Sequence, residues 1–231
     1  MAAVYSELDE RLIRFITSQP MFFVATAPCL DRSGSGGHVN VSPKGYRDTF
    51  AVLDPLTVAY LDLTGSGAET IAHLRQNGRI TIMFCSFGRT PKIVRIQGSG
   101  EVILPEDRRW PGFAAHFPGL ASEEAGLGSL PDQSSEADRH QEAETVETVE
   151  TVETVETVDL GTALDHGSHR AIIVVTADRI ADSCGYAVPV MDLVAERDVL
   201  ARWAERKSAD ELIAYRAKHN SASIDGLPAL S

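Results

Sequence analysis

Between residues 57 and 87 the chain reads TVAYLDLTGSGAETIAHLRQNGRITIMFCSF, and the residues in it that can do chemistry are Thr64, Gly65, Ser66 and Gly67. They place two hydroxyls and two positions without Cβ where a strand gives way to a helix. Unpaired N–H groups and the helix dipole favour an anion at such a point, so the turn suits a phosphate. The same residues also suit a tight strand-to-helix turn capped by Ser66 or Thr70, and local sequence leaves both readings open. Two nucleotide motifs are excluded: Thr70 stands where a dinucleotide fingerprint needs its third glycine, and no Gly-Lys-Ser/Thr follows as in a P-loop. Arg95 lies in an otherwise apolar strand, where a guanidinium calls for a carboxylate or a phosphate. Lys44, after a proline at a strand end, reads either as a solvated charge or as a ligand contact.

Other chemistries have little support. His38 and His73 read as structural histidines, and without HxxH, HExxH or a Cys-His cluster no metal site is expected. Cys29, Cys85 and Cys184 are odd in number and far apart, which points to free thiols instead of a disulfide framework or a CxxC site. No Ser-His-Asp set stands at hydrolase spacing.

Several elements must position the turn. Thr57 to Leu63 is a β-branched, aromatic strand; Ile71 and Leu74 share one helical face; Asn77-Gly78 supplies a left-handed stop before a strand over 79–87. Upstream, a helix over Ser6 to Gln19 has Ser6 and Asp9 spaced as a capping box and an apolar face of Leu8, Leu12, Phe15 and Ile16. Strands follow at 21–27, 38–42 and 49–53. Downstream come a long strand over 92–104, whose Gly98 and Gly100 suggest a bulge, and a helix from about Pro105 to His116. Arg170 to Ile180 is nearly continuous apolar sequence, as in a strand buried on both faces. Asp192 is placed to cap a helix carrying Leu193, Leu200 and Trp203, and Ser208 with Glu211 forms a second capping box for a helix ending near Asn220.

The 231 residues, 43% hydrophobic, can bury one substantial core. The net charge of −12 is unevenly spread: residues 121–165 hold 13 acids and one Arg, leaving 20 acids and 20 bases elsewhere. A neutral body has no basic stripe for a phosphate backbone, so nucleic-acid binding is not expected. With no apolar run of about 18 residues and no basic, apolar leader, a cytoplasmic protein without membrane attachment is expected. Within the acidic stretch, five Glu-Thr-Val triplets run from Glu144 to Val158. A three-residue period keeps no single face apolar, so 119–165 reads as a disordered acidic insertion. The chain then divides into a barrel domain over 1–118, the insertion, a closing strand over 166–190 and a C-terminal helical extension over 191–231.

The order of these parts, with HVNVSPKG at 38–45, LDLTGSGAET at 61–70, HLRQNGRITIMF at 73–84 and KIVRIQGSGEV at 92–102, resembles the pyridoxamine 5′-phosphate oxidase-like family of FMN-binding split barrels. The likeness covers roughly residues 10–104 and 170–180. It implies a mostly β, α+β fold: a split β-barrel of about six antiparallel strands with flanking helices. It also implies a homodimer with FMN between subunits and a small-molecule substrate. Carried over by position, Asn40, Val41, Ser42 and Lys44 line the flavin or substrate side, and Thr64, Gly65, Ser66 and Thr70 the phosphate, with Arg95 a further cation. The vitamin B6 oxidase itself has an arginine at the position of Val39 and an Arg-Lys pair at Glu69-Thr70, and those cations are missing here. The implied function is an FMN-dependent oxidoreductase. A flavin- or haem-storing protein of the same fold is the alternative, and a cofactor-free module acting through the acidic segment is a third reading.

Overall fold

The computed structural model describes residues 3–29, 36–120 and 168–230. Its frame is an antiparallel sheet of β1 (Val4–Tyr5), β2 (Phe22–Thr26), β3 (Asn40–Lys44), β4 (Phe50–Asp54), β5 (Thr57–Leu63), β6 (Arg79–Cys85), β7 (Ile93–Ile103) and β8 (His169–Ser183). The strand order is β3-β2-β6-β7-β8-β5-β4, with β1 paired to one end of β8. Among the described residues the helices are α1 (Glu10–Thr17), α2 (Glu69–Asn77), α3 (Trp110–Ala114), α4 (Val199–Glu205) and α5 (Ala209–His219). Among the described residues the sheet has eight strands where the sequence suggests about six, since a two-residue strand such as β1 shows no period. It is also open: β3 and β4 are edges with no ladder between them.

Side chains span that seam. Phe22 on β2 meets Phe50 on β4 with ring centroids 5.2 Å apart, and Tyr60 and Phe84 complete the aromatic cluster at 5.0–5.5 Å. Lys44 on β3 reaches Asp62 on β5 at 2.7 Å. The core holds the inward residues of β2, β5, β6, β7 and β8, with α1 supplying Leu12 and Ile16 and α2 supplying Ile71 and Leu74. A second cluster, on the other face of β5 and β8, packs Leu61, Ile103 and Ile172 against Phe117 and Leu120. β8 is buried on both faces from Arg170 to Val175, as its apolar run requires.

Three boundaries differ from the sequence reading. Helix α1 begins at Glu10 with Asp9 as its cap, accepting from the Leu12 N–H at 2.7 Å, because the residues before it are extended and pinned by Leu8 N–H to the Pro55 carbonyl. The helix expected from Pro105 shortens to α3, since turns ending on Asp107 take up the first residues. Asp192 starts no helix: segment 191–198 is irregular, held by its backbone to Phe87 and Tyr46, and α4 begins only at Val199. The capping box of Ser208 and Glu211 on α5 is present, as is the left-handed Gly78 after α2. At Gly98 the β7–β8 register slips, and a Cβ there would collide with the Thr176 carbonyl. No helix among the described residues is long and apolar enough to cross a membrane. The acidic insertion lies almost wholly outside the described residues.

Candidate functional site

Strand β3 decides which sequence candidates meet. Its period of two sends Asn40, Ser42 and Lys44 toward the seam and turns Val41 out, where it is 62% exposed. Asn40 Nδ2 donates to Thr70 Oγ1 at 3.0 Å and to Thr26 Oγ1 at 3.3 Å, while Ser42 Oγ donates to Asn40 Oδ1 at 3.1 Å. Thr26 Oγ1 and His73 Nδ1 share a further bond at 3.0 Å. The chain of contacts ties β3 to β2 and to the first turns of α2. His73 is fully buried, its Nε2 has no hydrogen-bond partner among the described residues, and burial holds its pKa below the ordinary histidine value against the opposing charges of Asp225 and Glu69.

Lys44 heads a second network. Its ammonium and the Arg170 Nε grip opposite oxygens of Asp62 at 2.7 and 2.8 Å, and Asp62 is completely buried. Burial raises the Asp62 pKa, but the two cations outweigh it and leave the carboxyl below its usual range. Tyr60, two residues back on the same face, has a buried hydroxyl with no partner among the described residues, and burial first, then the charge of Asp62, pushes its pKa well up. Arg170 continues to the carbonyl of Gly67 at 2.7 Å and that of Gly65 at 3.5 Å. From α5, Arg216 Nε donates to Thr64 Oγ1 at 2.9 Å, and Asn220 Nδ2 to the Gly65 carbonyl at 2.9 Å. Two guanidiniums therefore stand behind the turn from residue 64 to 67.

The turn is not capped as either candidate residue would cap it. The N-cap of α2 is Ala68, which makes no side-chain cap hydrogen bond; Ser66 is exposed, and Thr70 Oγ1 accepts from Asn40 instead. Glu69 folds back over Gly67, where a Cβ would strike its Oε2, and its Oε1 accepts from the Ile224 N–H at 3.3 Å. Arg95 stands apart. It pairs across the sheet with Met83, which pairs with Phe23, which pairs with Pro43, so its side chain leaves the face opposite to Lys44. Among the described residues it donates to the Ser183 hydroxyl at 3.0 Å and forms no ion pair with a carboxylate.

Sequence reasoning missed Asp62, Arg170, Arg216 and Asn220. Asp62 in YLDL and Arg170 heading AIIVV carried the signal applied to Arg95, a charge in an apolar strand that needs a partner. Arg216 and Asn220 carried none, because the docking of α5 on the turn is a tertiary event. The described residues contain no group of His, Cys, Asp and Glu able to hold a metal, and all three cysteines are free.

A curled antiparallel sheet, open along one seam that polar side chains bridge, is consistent with a split barrel. The pyridoxamine 5′-phosphate oxidase family matches residues 8–156. The chain is 36% identical over 244 residues to the pyridoxamine 5′-phosphate oxidase family protein ustO of Aspergillus flavus, covering 100% of this chain and 78% of that protein. It belongs to the pyridoxamine 5′-phosphate oxidase family. Among solved structures it is similar to HupZ of Group A Streptococcus, at 17% identity and TM-score 0.42 over 75% of this chain and 91% of that one. It is also similar to a FAD-binding protein of Mesorhizobium loti, at 14% identity and TM-score 0.42 over 79% and 97%. A third likeness is to HutZ, the haem storage protein of Vibrio cholerae, at 12% identity and TM-score 0.40 over 74% and 90%.

Proposed function

We propose that this protein binds FMN and is an oxidoreductase acting on a small molecule, with two copies of the chain forming the working unit. The observation that carries the reading is the uncapped N-terminus of α2, which follows the Thr64–Gly67 turn and has Arg170 and Arg216 behind it. The first N–H groups of a helix whose N-cap makes no side-chain cap bond, in a positive field, fit a phosphate even where the family's own cations are missing. FMN, when bound, supplies hydride and electron chemistry.

The chain's own residues bind and orient. Ser66 and the first N–H groups of α2 receive the phosphate, and Glu69 turns aside to admit it. Arg170 and Arg216 fix the turn through its carbonyls and the Thr64 hydroxyl. The Asn40–Thr70 bond holds β3 at a set distance from α2, so that the phosphate end and the ring end of the ligand keep one spacing. Val39 and Val41, 70% and 62% exposed on and beside an edge strand, offer an apolar face to the ring and to a second copy.

The absorption spectrum of the purified protein, with mass spectrometry of any released ligand, tests this. A flavin spectrum bleached by NAD(P)H with turnover supports the enzyme. Flavin without turnover, or a Soret band, supports storage, and a colourless protein that takes up no added FMN refutes the reading. Light scattering tests the pairing: a strict monomer that binds FMN stoichiometrically contradicts it.

A further inference from the structure

The chain beyond α5 folds back on itself. Asn220 closes the helix, and residues 221–230 make a short hairpin. The Ala229 N–H donates to the Ser221 carbonyl at 2.8 Å, the Ser223 N–H to the Leu227 carbonyl at 2.9 Å, and Ala222 bridges Pro228. Asp225-Gly226 forms the corner, where Gly226 takes φ 76°, a left-handed value that glycine adopts without steric cost. The base of the hairpin is fixed, with Ala229 fully buried and Leu227 and Leu230 packed on the main core.

The corner joins two elements of the phosphate end of the site. On one side the Asp225 carboxylate accepts from the His38 N–H and meets its Nδ1, both at 2.7 Å, two residues before β3 begins. On the other the Ile224 N–H donates to Oε1 of Glu69, the first residue of α2, at 3.3 Å. Asn220, at the base, holds the Gly65 carbonyl of the turn. Position along β3 decides what the corner can do. Asn40 bonds Thr70 in the first turn of α2, whereas Lys44 stands four residues on, about 13 Å along the strand, beside Asp62. The corner meets the chain at His38, on the far side of Asn40 from Lys44. A ligand with its phosphate at the start of α2 and its ring toward Lys44 therefore has its phosphate end against the hairpin. The hydrogen bonds from the His38 side chain, then from its backbone, hold the Asp225 carboxyl below the usual carboxylate range, so it is ionised at neutral pH. Glu69 brings a second carboxylate to the same place.

We propose that this hairpin sets the length of ligand the site accepts, admitting a flavin that ends in a phosphomonoester and excluding one that continues through a diphosphate to a nucleoside. The inference rests on the flavin reading and deepens it. A second phosphate would have to enter the space held by Ile224, Asp225 and Gly226, where two carboxylates oppose it. A nucleoside beyond it would find room only by detaching Asp225 from His38. Asp225 and His38 are thus specificity-determining residues that need not touch the accepted ligand.

Fluorescence titration of the ligand-free, full-length protein with FMN, FAD and riboflavin tests this in wild type and in Asp225→Ala. Wild type is expected to bind FMN at least 10-fold more tightly than FAD. Asp225→Ala frees the corner from β3 and removes one of the two charges, so the preference for FMN over FAD should fall at least 5-fold, mainly through tighter FAD. Should that variant fail to fold, His38→Ala, at an exposed side chain, breaks half of the same contact and must lower the preference at least 2-fold. A wild-type preference under 10-fold overturns the proposal and leaves the flavin reading standing, as does a preference that neither variant moves. Riboflavin bound as tightly as FMN also overturns it, because no phosphate then stands against the hairpin. A wild type that binds none of the three refutes the flavin reading and this inference with it.

Discussion

Replacing Asp62 by Asn tests the charge that holds the open seam together. The substitution keeps the shape and removes the carboxylate that Lys44 and Arg170 both grip, at 2.7 and 2.8 Å, in a fully buried position. Each pair is worth about 4 kcal/mol before desolvation, taking charges 4 Å apart at an effective dielectric near 20. The net cost of breaking such a set is smaller, about 3–5 kcal/mol, and most of it is the penalty of leaving cations buried without their counter-charge. At about 2–4 °C per kcal/mol for a chain of this size, the melting temperature should drop by about 6–20 °C. Lys44→Met should cost less, because Asp62 keeps Arg170. The acid dependence has a definite sign. The folded pKa of Asp62 is depressed, so its stabilisation is present above the unfolded value of about 3.9 and is lost as pH falls through the lower folded value. Wild type should lose stability relative to Asp62→Asn below about pH 4. Thermal melts of the three proteins from pH 3 to 8 decide the matter. A drop under about 2 °C at pH 7 would mean that the cations find other partners and that the seam does not depend on Asp62.

Other outcomes follow from the same geometry. Glu69→Gln removes the carboxylate that folds over the start of α2, so FMN titration should show roughly 5- to 10-fold tighter binding, about 1 kcal/mol, with slight loss of melting temperature; unchanged affinity would place the phosphate elsewhere. Ser66→Asp puts a fixed charge against the proposed phosphate at an exposed position that caps nothing, and should weaken FMN by about 100-fold while the melt stays within ~1 °C. Equal affinity in that variant would also remove the phosphate from this turn. Gly98→Ala forces a Cβ into the Thr176 carbonyl and should cost about 1–3 kcal/mol by chemical denaturation; a neutral result would mean that the bulge can open.

The seam shows where local pattern stops being sufficient. Strand and helix identities along 57–87, the capping box at Ser208, the left-handed Gly78 and the bulge at Gly98 each follow from a few adjacent residues, because periodicity and steric limits act over one or two turns of chain. For the same reason local residues indicated a phosphate-suited turn at residues 64–67 with Ser66 or Thr70 as a possible cap, whereas Asn40 and Ser42 were indicated by the family resemblance. Local sequence did not determine what those groups touch. Asn40 meets Thr70 across 30 positions, Lys44 meets Asp62 across 18, and Arg216 meets Thr64 across 152. Ser66 and Thr70 could each have capped α2, and tertiary packing gave Thr70 to Asn40 and left Ser66 in solvent. Arg95 and Lys44 looked alike as lone cations on strands, yet the register of β2, β3, β6 and β7 sent them to opposite faces. A hydrogen-bond partner or an ion pair is fixed by which strand lies beside which, and that follows from burying one shared core, a property of the whole chain and of no single segment.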